Sequence, residues 1–375
     1  MTCRLACLSF RQMPVCAAYS LLMRQERQKK FVVSCHKRHS FAYICQNRNI
    51  KKLIIMKFKL YLFLAFIASI PLIACGCSNK NMAVENTGIK LHDNFKDSDS
   101  GIIKKTLPLK DFHGINVESS VGVYYTQGSE YKVVFEGSEN AWKALCFDVQ
   151  EQTLVVKSSK KPHDDGNKSG LYKLYVTAPN IDRLSCSGFF YFHAKSMKTG
   201  SLTVNNKGAL NLDIENLKAD SYNIVNKGFI TNNGRFEVGK FDVQNYAAYS
   251  CRSDLKVLGD MNVSNKGSVY LCGSIEANKI FWNCRGADNC ELAIKAKNVD
   301  FNISGSGVIN GKFKGDGMSI KCNGAAKVNM DVDCLSVTAS VNGSGNIALS
   351  GTADKIDIGG SGISRIDTSR LNNFD

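Results

Sequence analysis

Proline is scarce, at 5 of 375 residues, and no window of ten residues reads as a good amphipathic helix. The second absence argues against leucine-rich and ankyrin-type repeats, which stack helices. There is no C-x-x-C pair, and the nine cysteines beyond residue 75 (Cys77, 146, 186, 251, 272, 284, 290, 322 and 334) are odd in number. Neither a zinc site nor a complete disulfide framework is therefore signalled. Most of them read as small buried hydrophobes, with Cys272 and Cys290 falling at similar places in neighbouring repeats and expected to be close. Histidine is rare as well: His92, His113, His163 and His193 are the only ones past residue 75, and none has a metal or triad spacing. No metal and no cofactor are expected. What is abundant is Gly, Asn, Val and Ile, a balance that favours strands and tight turns.

One long apolar run exists, residues 60–74, preceded by Lys57 and Lys59. Its length suits a signal segment and is short for a bilayer-spanning helix. Leu72-Ile73-Ala74-Cys75 resembles the lipobox of bacterial lipoproteins, which implies lipid on the Cys75 sulfur and a membrane anchor; Cys77 has the poorer match upstream. Residues 56–74 are thus expected to be a signal peptide, residues 75–106 a tether, and residues 1–55 a non-native extension upstream of a start at Met56. Removing residues 1–74 changes the charge. The formal +15 of the whole chain falls to near +3, with 35 Lys and Arg against 32 Asp and Glu. A nucleic-acid partner suggested by the raw charge disappears with it.

The dominant pattern lies beyond residue 183. Short motifs ending in Gly or Ala recur at 188, 208, 228, 248, 267, 286, 307, 326, 345 and 362, in steps of 17 to 21 residues. Between them apolar residues alternate, as in Leu210, Leu212 and Ile214, in Val328, Met330 and Val332, and in Leu335, Val337, Ala339 and Val341. A period of two inside a period near twenty describes an all-β solenoid, a parallel β-helix with one repeat per coil. The hand usual for parallel crossovers is right. Ten coils at about 4.8 Å each would make a rod of about 45 Å. Asn recurs three places before the turn end at 205, 245, 283, 323 and 342, with Ser264 and Ser304 between and Asn226 and Asn265 one place off. It tolerates left-handed backbone and can bond coil to coil in a ladder. Residues 107–183 carry strands without this beat and are expected to form an irregular β-rich cap on the repeats at 184–375.

Repeated Ser-Gly-Ser-Gly turns, the run Phe112-His113-Gly114-Ile115-Asn116-Val117 with Val121-Gly122-Val123 after it, and Pro179-Asn180-Ile181-Asp182-Arg183-Leu184-Ser185-Cys186-Ser187-Gly188 together resemble the head-GIN domain family of auto-transporter adhesins. The likeness spans roughly residues 107–365, although the middle coils use Asn-Lys-Gly. It implies a coiled β-solenoid and an adhesin role, and it carries no catalytic residues.

Two surfaces could bind something. Phe189, Phe190, Tyr191 and Phe192 follow a turn directly, and alternation must place some of them outward. Lys207, Lys227, Lys266 and Arg285 stand just before the turn Gly, where stacked like charges cost energy that an extended polyanion would offset. The acids Asp213, Asp242, Asp254, Asp300, Asp331 and Asp333 share no repeat phase in adjacent coils, which disfavours a polysaccharide-cleaving site. The expected role is a non-enzymatic, lipid-anchored protein of the cell envelope, an adhesin or a glycan-binding scaffold, with an envelope protein as the other partner class. A polysaccharide-active enzyme and a periplasmic structural or envelope-stress component are the alternatives. Gly76 gives no inner-membrane retention signal and no acidic run follows it. The outer membrane is therefore favoured, with its periplasmic or its outer face left open.

Overall fold

A computed structural model describes residues 101–159, 172–361 and 365–373. The expected lipidation site Cys75, the signal segment and the loop holding His163 lie outside the described residues. No described helix is long and apolar enough to cross a membrane.

The described chain is a β-solenoid. Twelve strands form its coils from residue 183 on: β8 (Arg183–Cys186), β9 (Phe189–Ala194), β10 (Met197–Asn206), β11 (Ala209–Asn226), β12 (Phe229–Asn245), β13 (Ala248–Val257), β14 (Asp260–Asn265), β15 (Ser268–Cys284), β16 (Ala287–Ile303), β17 (Ser306–Cys322), β18 (Ala325–Val341) and β19 (Asn346–Gly360). Each pairs in parallel with the coil before and after it. The offset is 20 residues for Ala209 with Phe229, and 19 for Ala287 with Ser306 and for Ser306 with Ala325. β20 (Arg365–Asn372) continues the stack on β19.

The other end is built differently. β2 (Gly114–Val117) and β3 (Ser120–Gln127) lie between β8/β9 on one side and β6 (Thr153–Ser158) and β7 (Tyr172–Ala178) on the other, all parallel. The chain therefore lays down an inner coil first and adds the outermost one afterwards. Beyond it the pairing turns antiparallel: β4 (Lys132–Ser138) on β7, β1 (Ile102–Leu107) on β4, and β5 (Leu145–Gln150) on β6. These strands, with the short helix α1 (Glu139–Ala144) capped by the Ser138 hydroxyl, cover an edge that would otherwise offer unpaired N–H and C=O groups. Because Ile102–Leu107 is a strand of this cap, the segment expected to be a tether ends before residue 102.

Alternation sends every second side chain inward. Leu210, Leu212, Ile214, Val328, Met330 and Val332 are all buried, as their spacing predicts. Leu335 is not. It sits at a coil corner where the register steps from Cys334 to Ser336, and it is 57% exposed. Six of the eight described cysteines are buried and all eight are free. Cys272 and Cys290 do not face one another: Cys290 pairs with Leu271, so it points inward while Cys272 takes the opposite face.

The turn column also differs from the sequence expectation. Gly188, Gly208, Gly228, Ala247, Gly267, Gly286, Gly305, Gly324 and Gly343 stack, whereas Ala248, Gly307, Ala326 and Gly345 do not join them. Ser304-Gly305-Ser306-Gly307 holds two glycines, and the first is the structural equivalent. A Cβ at Gly305 would overlap the Gly286 carbonyl oxygen, as one at Gly228 would overlap that of Gly208. This close approach of turn to turn is what glycine permits.

Directly before each such turn lies an inward polar column. Asn206, Asn226, Asn245 and Asn265 are all at most 1% exposed. Each Nδ2 donates to the Oδ1 of the next, at 2.8 Å for all three steps. Asn206, Asn226 and Asn245 also donate to their own turn carbonyls, all four donate to a carbonyl in the following coil, and each Oδ1 accepts its turn N–H, as in Asn226 with Gly228 and Ala248. The expected ladder exists, but one place along from Asn205 and Asn283; Asn323 and Asn342 belong to an outer, exposed column. A buried amide satisfied on every side is stabilising, and the same amide with one partner removed is costly. Asn226→Ala is expected to lower the unfolding free energy by about 2–3 kcal/mol, and Asn342→Ala by less than about 0.5 kcal/mol. Urea unfolding followed by circular dichroism measures both.

Candidate functional site

The inner ladder determines what points out beside it. Each buried Asn draws its turn tight, so the next residue projects from the coil corner. Those residues are Lys207, Lys227, Tyr246 and Lys266, with Arg285 after the buried Cys284 in the same place; their N–H groups bond the carbonyls of Cys186, Asn206, Asn226, Asn245 and Asn265 one coil back. All five side chains are exposed. The four cations of the sequence pattern thus share one column, and Tyr246 divides them into two pairs. Its ring lies 5.9 Å from Lys227 Nζ and 5.1 Å from Lys266 Nζ, so an aromatic face stands where a fifth charge would repel its neighbours.

Among the described residues no carboxylate is paired with this column. The neighbouring outward column, Asn205, Val225, Gln244, Ser264 and Asn283, contains no acid. On the other flank run the turn glycines and then Ala209, Phe229, Ala248, Ser268 and Ala287. Asp242 is engaged elsewhere, 2.7 Å from Lys240 and 2.6 Å from the Asn262 amide. A different column shows the opposite treatment: Lys218, Glu237, Lys256, Glu276 and Lys295 alternate in sign over five coils, with Lys218 and Lys256 at 3.2 and 3.7 Å from Glu237. This ladder flanks a groove of about 680 Å³ and neutralises itself.

The aromatic run divides by face. Phe190 and Phe192 are fully buried, so the expected four-residue surface patch reduces to Tyr191 and the partly exposed Phe189. The Tyr191 hydroxyl donates to Asp213 Oδ2 at 3.1 Å, and His193 Nδ1 lies 2.9 Å from the same oxygen. Burial, and then the Asp213 charge, pushes the Tyr191 hydroxyl well above its ordinary pKa. The His193–Asp213 pair escapes a motif search because its members are one coil apart; the 20-residue period is the signal that could have found it. His113 is similar, tied by Nδ1 to Asp182 at 2.8 Å and by Nε2 to Gln152 at 2.9 Å, which raises its pKa. Among the described residues no three His, Cys, Asp or Glu side chains converge as a metal site would require.

One buried acid was not anticipated. Asp288 is 2% exposed and closes the asparagine ladder. Its Oδ1 accepts from Asn265 Nδ2 at 2.6 Å, and its Oδ2 from Trp282 Nε1 at 2.7 Å. Burial raises its pKa above the ordinary 3.8, against the opposing pull of bonds from Cys284, Trp282 and Asn265. Between 3.8 and the raised value, the folded protein keeps a proton that the unfolded chain releases. Stability therefore falls as pH rises through that interval and stays lower above it. Asp288→Asn is expected to remove this component, which urea unfolding of both proteins across about pH 4–7 would reveal as a flatter profile.

The profile of the family described as "putative auto-transporter adhesin, head GIN domain" matches residues 111–254 and 308–374. Solved structures with similarity include a "putative adhesin" from Parabacteroides distasonis, 17% identical over 72% of this chain and 98% of that one with a TM-score of 0.34. A "putative adhesin" from Bacteroides fragilis is 18% identical over 72% and 97%, with a TM-score of 0.30. A "putative lipid binding protein" from Parabacteroides distasonis is 15% identical over 71% and 96%, with a TM-score of 0.28. No curated protein matches the chain.

Proposed function

The chain belongs to the head GIN domain family of adhesin-like proteins, and from that premise we propose that it is a lipid-anchored, non-enzymatic rod of the cell envelope that holds an extended polyanion, such as an acidic glycan, along its cationic edge. The anchor rests on Leu72-Ile73-Ala74-Cys75, a lipobox-like run behind a basic and apolar signal segment. The observation that carries the ligand is the column Lys207, Lys227, Lys266 and Arg285, stacked on successive corners with no ion pair among the described residues, while the stacked charges Lys218, Glu237 and Lys256 of the same solenoid are paired.

Coil spacing makes the column a ruler. Corner residues in successive coils are about 4.8 Å apart, close to the advance of one sugar in an extended chain. A glycan bearing a carboxylate on each sugar could meet Lys207 and Lys227, pass over the Tyr246 ring, and meet Lys266 and Arg285 without bending. Exposed pairs contribute little singly, about 0.2–1 kcal/mol, so affinity would come from engaging four at once on a rigid frame.

The test is binding of the full chain to immobilised polygalacturonate. Wild-type protein is expected to bind and to be released as salt shortens the Debye length from about 10 Å at 0.1 M to about 3 Å at 1 M. A variant with all four residues changed to Gln is expected to lose binding at least about tenfold, or 1.4 kcal/mol. Equal binding by both proteins would overturn the ligand. A Cys75→Ala variant that still incorporates a labelled fatty acid and stays with the membrane fraction would overturn the anchor.

A further inference from the structure

The two ends of the solenoid are finished differently. At the first coils antiparallel strands and a short helix cover the edge, and β1 carries Lys104 and Lys105, charges that discourage further pairing. At the last coil nothing comparable is present among the described residues. There β20 pairs with β19 along one side only, and residues 355–360 of β19 pair only with β18. The core is open at that end. Val337 and Ala339 are at most 1% exposed, yet Ile356 and Ile358, which stack on them in the next coil, are both partly exposed, Ile358 by 39%. Ile366, stacked on the buried Ile347, and Leu371, stacked on Gly351, are likewise only partly buried.

The end strand is out of step with the strand beneath it. Ala348 pairs with Asp367 and Ser350 with Arg370, so Thr368 and Ser369 together oppose Leu349. Strict alternation would put Ile366 and Leu371 on opposite faces. The bulge instead puts both at inward places and leaves Asp367 and Arg370 both outward. Laid antiparallel on a second copy of itself, with a two-fold axis between Thr368 and Ser369, this strand is self-complementary. Ile366 meets Leu371, Asp367 meets Arg370, and Thr368 meets Ser369, each pair occurring twice. The extra residue that mismatches β19 is matched by the same extra residue in the copy. The charges agree with this register. Arg370 makes no ion pair among the described residues. Asp367 Oδ1 accepts from the Ser369 N–H at 3.1 Å and its hydroxyl at 2.7 Å, and Arg365 lies 3.5 Å from Oδ2.

We propose that β20 is a homodimerisation edge, through which two copies of this chain join end to end by antiparallel pairing of Arg365–Asn372, with Asp367 of each copy against Arg370 of the other. Cross-strand pairs of opposite charge and of apolar residues are the stabilising units of such a contact. Pairing gives both end strands the backbone partners they lack. It also turns Ile356 and Ile358 of each end coil towards the other copy instead of towards water. The same patch serves on both sides, so the contact closes at two copies and leaves the caps at the far ends. The cationic edge ends at Arg285, before β16, and takes no part.

The experiment is sedimentation equilibrium of the full chain from micromolar to millimolar concentration. Wild-type protein is expected to show a monomer–dimer equilibrium and nothing larger. Asp367→Arg and Arg370→Asp each set two like-charged pairs across the axis, and each is expected to raise the dissociation constant at least about tenfold. An equimolar mixture of these two variants brings opposite charges together at both places, so it is expected to dimerise where neither variant does alone. The double variant, Asp367→Arg with Arg370→Asp, should recover the dimer as well. Unchanged circular dichroism and thermal midpoints at a concentration where every protein is monomeric would establish that the variants are folded. The variant carrying Lys207→Gln, Lys227→Gln, Lys266→Gln and Arg285→Gln should dimerise as wild type does, so loss of the polyanion reading leaves this one standing. The proposal is overturned if wild type stays monomeric throughout, if it forms an open series of oligomers, if both single variants dimerise like wild type, or if neither the mixture nor the double variant recovers the dimer.

Discussion

Every coil of this protein has to return its chain to a point directly above where it began, one strand spacing higher, and each side chain must tolerate its own counterpart there. Inside, apolar residues meet that condition easily, since like stacks on like. A polar residue meets it only when its whole bonding capacity is answered by the coils on either side. Asn206, Asn226, Asn245 and Asn265 do so because a carboxamide has two donors and an acceptor, and the stacked turns offer the matching groups. The same condition applied outside is less forgiving. Stacked charges repel, and the solenoid answers in two ways: by alternating sign from Lys218 to Lys295, and by placing Tyr246 between two lysines. Where neither answer is complete, an unmatched surface is left for something else to match.

Much of the fold was legible because it is periodic. The alternation of Leu210, Leu212 and Ile214 and the beat near twenty identify a β-solenoid without reference to any structure. Phase was harder to read. In Asn205-Asn206-Lys207-Gly208 either asparagine could be the inward one, and in Ser304-Gly305-Ser306-Gly307 either glycine could be the turn. Local composition does not separate them; stacking does, since Gly305 lies on the turn residue Gly286 while Gly307 pairs with Asp288, and Asn206 is the buried amide that bonds Asn226. The nesting of β2 and β3 beneath the later β6 and β7 was not legible at all, because residues 107–183 lack the repeat that would reveal neighbours.

The surfaces follow the same division. The cation column was visible since its members fall at one place in the repeat. The end strand was not, because the bulge at Thr368 and Ser369 breaks the alternation, and Ile366 and Leu371 share a face only through pairing with β19. Phe189 to Phe192 stood out in the sequence, yet half of that run turned out to be core. Asp288 was hidden differently. It occupies an inward position that apolar residues hold in other coils, such as Val269 before it, and its role appears only when the last amide of the ladder is traced to its acceptor.

The ladder has a direction. Every amide donates towards the later coil, and the series stops at a carboxylate that only accepts. One asparagine coil could therefore be copied or deleted whole, by recombination within the gene, and each remaining amide would still find its partner. The step from Asn265 to Asp288 admits no such editing, since Trp282 and Asp288 occur together there and nowhere else. Lineages that lengthen or shorten this rod should do so between residues 206 and 265, and each such change would add or remove one residue of the cationic edge at the same time.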